Sequence, residues 1–227
     1  MSITFQDLYT VNEPAIWMTQ SFSGFNLDSR KVTTGQIFIA LTSFSQPEKT
    51  AQFAQMALDQ GALAVISETD LALENSFTVA NARQLMGQWQ KQYLQAVQPI
   101  SPARMIAVTG TNGKTTISRL IAELLMLQGK KCAVMGTTGN GILPNLEASS
   151  HTTLDALHMQ NALHDYALQG AEFASIEASS HGLEQGRLNG CAIEIAAYSN
   201  LSRDHLDYHK TLEAYAEAKS GLFKFES

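Results

Sequence analysis

Residues 105–116, MIAVTGTNGKTT, set two glycines, a lysine and two threonines directly after a short apolar run, and a helical pattern follows at once. Gly110 and Gly113 permit a tight turn whose backbone N–H groups converge, Lys114 can reach a terminal phosphate, and Thr115 offers a hydroxyl to Mg²⁺. The chemistry open to such a group is the transfer or hydrolysis of a nucleotide phosphate. The spacing G-x-x-G-K-T is two residues shorter between its glycines than the usual phosphate loop, so the flanks must support the assignment. They do. Ile106 and Val108 precede the loop, and Ile117, Leu120, Ile121, Leu124 and Leu125 follow at i, i+3, i+4 spacing until Gly129, a suitable residue just past a helix end. A glycine turn without a ligand is the competing reading.

Three further polar clusters each follow an expected strand. GTTGNG at 136–141 leads to His151, Thr152 and Thr153, and the two threonine hydroxyls could hold an anion or merely cap a helix. IEASSHGLEQGRLNG at 176–190 places Glu177 at a strand end, where a carboxylate could hold Mg²⁺ opposite Thr115 or form an ordinary salt bridge. In the same stretch Gln185 and Arg187 could bind an anionic substrate. YSNLSRDHLDYH at 198–209 sets His205 and His209 four apart beside Asp204 and Asp207. No third His or Cys stands at a ligand spacing, which argues against a dedicated zinc site. His151, His158, His164 and His209 are by default structural or solvated.

These residues need a scaffold. The pattern predicts strands at 36–41, 62–67 and 77–79 with helices at 50–60 and 81–97, then prolines 99 and 102 interrupt it. The stripe Leu85, Met86, Trp89, Tyr93 and Leu94 reads as core rather than binding surface. Beyond the prolines, strands at 104–109, 131–136, 172–178 and 193–199 alternate with helices at 115–128, 153–168 and 211–223. The expected class is therefore α/β: a small N-terminal α/β domain over residues 1–98, then a P-loop-type domain over 99–227 with a mostly parallel sheet. Ligands of such sheets sit at the carboxyl ends of the strands.

Composition narrows the field. With 227 residues, 44% of them hydrophobic and 16% charged, the chain can bury one or two cores. A formal net charge of −6 disfavours broad nucleic-acid binding. No signal-like start and no run near the roughly 20 apolar residues of a membrane span is present, so a cytoplasmic protein is expected. Cys132 and Cys191 are expected to be buried thiols.

Taken together, TGTNGKTT, EASSHGLEQGRL and SNLSRDHLDYHKTLEAYAEAK resemble the Mur ligases of peptidoglycan synthesis, and LDSRKVTTGQIFIAL extends the likeness into the first domain. The resemblance implies a cytoplasmic, ATP-dependent amide-forming ligase with a UDP-binding first domain, a central ATPase domain and a C-terminal amino-acid domain. This chain would be an N-terminal part of it, ending within the central domain and inactive alone. The implied reaction adds meso-diaminopimelate to UDP-N-acetylmuramoyl-L-alanyl-D-glutamate through an acyl phosphate, with ATP and Mg²⁺, in a monomer without nucleic-acid partners. Alternatives are the lysine-adding ligase of the family and a non-catalytic nucleotide- or UDP-sugar-binding module. The related folate polyglutamate ligases are disfavoured by the UDP-type first domain.

Carried over by position, the resemblance implies uridine-side contacts from Leu27, Ser29, Phe44, Ser45 and Gln46. It implies ATP phosphates cradled by Gly110, Thr111, Asn112, Gly113, Lys114, Thr115 and Thr116. His151, Thr152, Thr153, Ser179, Gln185 and Arg187 would bind the muramoyl-dipeptide. Thr115, Glu177, His205 and Lys219 would serve the metals, with Lys219 carbamoylated to turn an ammonium into an anion. Lys114, Lys219, Glu177 and His205 would form the catalytic set.

Overall fold

In the computed structural model, which describes residues 3–42, 46–149 and 151–225, the chain divides into two compact units, Met1–Pro99 and Ile100–Ser227. The first unit carries strands β1 (Phe25–Asn26), β2 (Ile37–Ala40), β3 (Ala64–Ser67) and β4 (Ser76–Thr78), with helices α1 (Thr50–Asp59) between β2 and β3 and α2 (Ala82–Val97) after β4. The strands lie in the order β1-β2-β3-β4, all parallel. Every residue of β2 and β3 is buried, as a strand covered on both faces requires. One core joins Phe38, Ala40 and Val65 to Ala54 and Ala57 of α1. Elsewhere the stripe of α2 meets aromatic rings: Trp89 packs edge-on against Phe5 at 5.2 Å and Tyr9 at 5.7 Å, and near-parallel to Phe25 at 6.3 Å. Met86 and Trp89 are core, as the spacing predicts, and Leu85, Tyr93 and Leu94 are partly buried beside them. The segment before β1, for which the sequence pattern predicts no element, supplies Phe5, Tyr9 and Trp17 to that aromatic cluster and includes two short 3₁₀ turns, Phe5–Asp7 and Ile16–Thr19.

The second unit is built on β5 (Arg104–Thr109), α3 (Lys114–Leu127), β6 (Cys132–Gly136), β7 (Gly139–Ile142), α4 (Ala156–Leu168), β8 (Phe173–Glu177), α5 (Ser180–Glu184), β9 (Ile193–Tyr198), α6 (Leu206–His209) and α7 (Leu212–Ser220). The sheet order is β7-β6-β8-β5-β9, parallel except for the edge strand β7, which turns back antiparallel on β6. Alternate residues serve opposite faces. Ile106, Cys132 and Val134 pack with Ala122, Ile121 and Leu125 of α3, while Met105, Ala107, Ala133 and Ile176 pack with Met159 and Leu163 of α4. Both cysteines are buried free thiols.

Three local expectations need correction. Gly139–Ile142 is a strand beyond those that the pattern predicts; its glycines allow close approach of 145–147, since a Cβ at Gly139 would lie 2.6 Å from the Glu147 carbonyl oxygen. The helix expected from residue 153 starts at Ala156, capped by Asp155, whose carboxylate accepts from the His158 N–H at 3.0 Å. The apolar pattern of α3 is wider than its buried face: Leu120 and Leu124 are more than half exposed, and it is Ile121 and Leu125 that reach the core. Among the described residues no helix is long and apolar enough to cross a membrane.

Candidate active site

The connections of neighbouring strands β5 and β8 leave in opposite directions, toward β6 and β9, so a crevice opens at their carboxyl ends. Thr109 closes β5 there by donating its hydroxyl to the Ala178 carbonyl at 2.7 Å. Gly110, at φ +145°, then passes so near the β9 end that a Cβ would collide with the Ser199 side chain. Gly113, at φ +84°, turns the chain into α3. Asn200 pins the outer loop: its carbonyl accepts from the Thr111 N–H at 2.9 Å and its Oδ1 from the Asn112 N–H at 3.0 Å. The Thr111 and Asn112 amides are thus engaged. The first-turn amides of α3, which no helix can satisfy internally, form the electropositive end.

Lys114 folds back over this loop, its Nζ donating to the carbonyls of Gly110 at 2.8 Å and Thr111 at 3.0 Å. The next residue reaches the other strand: Thr115 donates its hydroxyl to Glu177 Oε2 at 2.9 Å, a contact spanning 62 positions of sequence. Glu177 is 1% exposed, and a buried carboxylate requires donors. Thr137 supplies two more, through its N–H to Oε1 at 2.9 Å and its hydroxyl to Oε2 at 3.2 Å. Gly136 leaves the space: a Cβ there would lie 2.5 Å from Glu177 Cδ and 2.7 Å from Cγ. The carboxylate partners are therefore hydroxyls and an amide, not the salt bridge considered from sequence.

Two lysines converge on the same point. Lys219, 1% exposed on α7, donates to the Gly110 carbonyl at 2.8 Å and lies 4.5 Å from the Tyr215 ring centroid. Burial, with Lys114 nearby, pushes its ammonium down to about 8 against the pull of Asp204. Burial also lowers Lys114, opposed by Glu177 and Asp204. Lys219 is consequently the more readily deprotonated, and a neutral lysine is a nucleophile.

On the far side of Glu177, Thr153 donates to the Glu177 carbonyl at 2.8 Å and accepts from the Ser179 N–H at 3.0 Å. Thr153 is thus no helix cap. Arg187 donates to the Thr153 carbonyl at 2.7 Å and, through Nε and Nη2, to Gln185 Oε1 at 3.1 and 2.8 Å. Thr152 joins the Glu177 cluster through Thr137, hydroxyl to hydroxyl at 3.1 Å. His151 is exposed, its carbonyl accepting from the Ser149 hydroxyl. His205, half exposed at φ +51°, begins α6 with its Nε2 3.7 Å from Asp204 Oδ2. Its ring stands edge-on to His181 at 5.1 Å.

Among the described residues no three His, Cys, Asp or Glu side chains cluster as a metal cage. The pair Thr115 and Glu177 nonetheless fits Mg²⁺, a hard cation content with one hydroxyl and one carboxylate when phosphate and water oxygens complete the shell.

In the first unit, Leu27 and Ser29 line a cavity of about 570 Å³ with Phe38, Thr50, Phe53 and Met56. Gln46 precedes the 3₁₀ turn Pro47–Lys49. Phe44 and Ser45 lie outside the described residues. Sequence reasoning missed Thr109, Thr137, Asn200 and Tyr215. Thr137 and Asn200 carried a signal, since each is polar and closely follows an apolar strand; Tyr215 looked like any helical aromatic, yet it is 1% exposed and its hydroxyl donates to Thr111 Oγ1 at 3.4 Å.

Comparison with known proteins is consistent across sequence and structure. UDP-N-acetylmuramoyl-L-alanyl-D-glutamate–2,6-diaminopimelate ligase of Vibrio cholerae is 44% identical over 203 residues, covering 87% of this chain and 41% of the relative. The Haemophilus influenzae protein of the same name is 43% identical over 206 residues, covering 87% and 42%. The chain thus spans about two fifths of the length of these curated relatives. A solved structure of a ligase of that name superposes with TM-score 0.93 at 69% identity, covering 99% of this chain and 45% of the other. MurF of Thermotoga maritima, solved in complex with ADP, shares the fold at TM-score 0.61 and 20% identity, covering 89% of this chain and 43% of its own. The Mur ligase middle domain matches residues 108–227, half of the sequence and the whole of the phosphate loop, and the chain therefore belongs to the Mur ligase family.

Proposed function

We propose that this chain forms the UDP-substrate and ATP-binding parts of an enzyme that joins meso-diaminopimelate to UDP-N-acetylmuramoyl-L-alanyl-D-glutamate. The observation that carries the reading is the junction of Thr115 with the buried Glu177 beside Lys114, at the start of α3. The names of the relatives supply the substrate; the site supplies the means. Residues 1–98 would take the UDP end, with Leu27 and Ser29 in the cavity, and the resemblance adds Phe44, Ser45 and Gln46 to the uridine-side contacts. Residues 99–227 would take ATP.

Lys114 leaves the loop carbonyls to meet the γ-phosphate, and the α3 amides meet the remaining phosphate charge. The substrate γ-carboxylate attacks the γ-phosphorus with departure of ADP, and the amine then displaces phosphate from the acyl carbon. Both reactants of the first step are anions, so charge neutralisation by Lys114 and the amides is the main task of the protein. Thr115 and Glu177 would hold Mg²⁺, His205 and Lys219 would serve a second ion, and the metal when bound would supply Lewis-acid neutralisation of phosphate oxygens. Carbamoylated Lys219 would present oxygens where the unmodified amine offers a cation. Thr152, Thr153, Ser179, Gln185, Arg187 and His151 orient the muramoyl-dipeptide. We place the reaction in the cytoplasm, where ATP is available, and in a monomer.

Lys114→Ala in the full-length enzyme is the test. Tripeptide synthesis falls by at least two orders of magnitude while the thermal midpoint holds, because a transition-state contact of about 3 kcal/mol is lost. Ordinary turnover by that variant would refute the assignment.

A further inference from the structure

Helix α6 is a single turn, Leu206–His209, bounded by two non-glycine residues with positive φ, His205 at +51° in the left-handed conformation and Lys210 at +69°. One turn cannot sustain itself, and neither end is a conformation that a residue with a Cβ prefers. Something outside the helix must hold it. That contact is His209, whose side chain is 2% exposed. Its Nε2 lies 2.9 Å from the Ser180 hydroxyl and its Nδ1 3.2 Å from Glu184 Oε2, both on α5. An ionised carboxylate only accepts, so Nδ1 carries the proton and Nε2 accepts from Ser180. The ring also packs on Tyr215 of α7 at 5.2 Å and on His181 of α5 at 5.4 Å.

The same two short helices meet a second time at the functional end. His181 stands edge-on to His205 and lies 4.1 Å from the Tyr208 ring, between the residues that pin α6 and the residue that begins it. The chain flanking α5 carries Ser179, Gln185 and Arg187, and His205 is the residue that immediately precedes α6. Movement of α6 against α5 would therefore carry His205 with it, since the His205 carbonyl accepts from the His209 N–H at 3.0 Å.

We propose that His209 is a positioning residue: clamped by Ser180 and Glu184, it locks α6 onto α5 and holds His205 ready for the divalent cation. This rests on the reading of His205 as a metal-facing residue in the proposed function. The Ser180–His209–Glu184 arrangement accordingly serves geometry, with the Ser180 hydroxyl buried at 2% exposure rather than presented to a substrate.

The test uses the 227-residue chain with Mn²⁺ and a non-hydrolysable ATP analogue. Mn²⁺ affinity is read by electron paramagnetic resonance, and the position of His205 by paramagnetic broadening of its ring signals in histidine-labelled protein. His209→Phe, which keeps a ring but neither polar contact, is expected to weaken Mn²⁺ about tenfold and to reduce the broadening at His205, with metal-free nucleotide affinity unchanged. Glu184→Ala is expected to weaken Mn²⁺ severalfold, and Glu184→Gln, whose amide oxygen still accepts from Nδ1, to restore it. Glu184 is half exposed, so its variants decide the matter if His209→Phe fails to fold. Absence of broadening at His205 in the unaltered chain overturns the metal assignment and this inference with it. Broadening there that persists undiminished in Glu184→Ala and in a folded His209→Phe overturns this inference alone.

Discussion

Gly136→Ala isolates the geometry on which the phosphate site depends. Gly136 is not among the left-handed glycines, so an added methyl brings no backbone strain of that kind; what it meets is Glu177, with Cδ at 2.5 Å and Cγ at 2.7 Å. Ordinary carbon–carbon contact begins near 3.5 Å, so the carboxylate must retreat by about 1 Å. Hydrogen bonds of 2.9 Å from Thr115 and the Thr137 amide would then stretch to nearly 4 Å and cease to be bonds. A bond to an ionised group contributes about 1.5–3 kcal/mol, and water entering the gap returns part of it. We therefore expect a net loss of about 2–4 kcal/mol in urea unfolding, with loss of Mn²⁺ binding beside a nucleotide. Gly129→Ala is the control, for its φ is +75° while nothing lies within 4 Å of its Cβ. It should lose about 1 kcal/mol from backbone strain and keep Mn²⁺ affinity. A Gly136→Ala chain with an unaltered urea midpoint and unaltered Mn²⁺ affinity would show that Glu177 is not held as described.

Other expectations follow from the same site. The Lys219 ammonium is pushed down to about 8 from 10.5, so the unfolded chain binds the extra proton between those values and stability rises with pH there; the urea midpoint of the unaltered chain relative to Lys219→Met should climb from pH 8 to 9.5. His181 and His209 are held below the usual 6.5, chiefly by burial, so their contribution is present above that pH and lost as pH falls below it. His181→Gln should flatten the decline in stability between pH 6.5 and 5, and an unchanged slope would count against the burial argument. At the start of α4, Asp155→Ala removes the cap to the His158 N–H and should cost about 1 kcal/mol, whereas Asp155→Asn should retain most of it; equal midpoints for the two variants would contradict the capping role.

Local order was largely legible in the residues. Hydrophobic periods of two and of three to four placed the main strands and helices, and the apolar–Gly–Lys–Thr succession located the β5–α3 turn, because those signals arise from contacts within a few residues of each other. The short pieces escaped notice. Strand β7 is rich in glycine and exists because β6 offers a partner, and α6 exists because His209 is gripped from α5. Neither has a propensity that outweighs a loop in isolation.

Sequence by itself determined which residue types were available for phosphate chemistry and, through their periodicity, that they would gather at the ends of parallel strands. The apposition of Thr115 and Glu177 was readable too, but tertiary structure alone decided the contacts: the direct Thr115–Glu177 hydrogen bond across 62 positions, and Lys219 on the Gly110 carbonyl across 109. Propensity and pattern act between neighbours along the chain, whereas a buried carboxylate or ammonium takes whichever donor or acceptor the packed sheet brings within about 3 Å, and that depends on strand order and register.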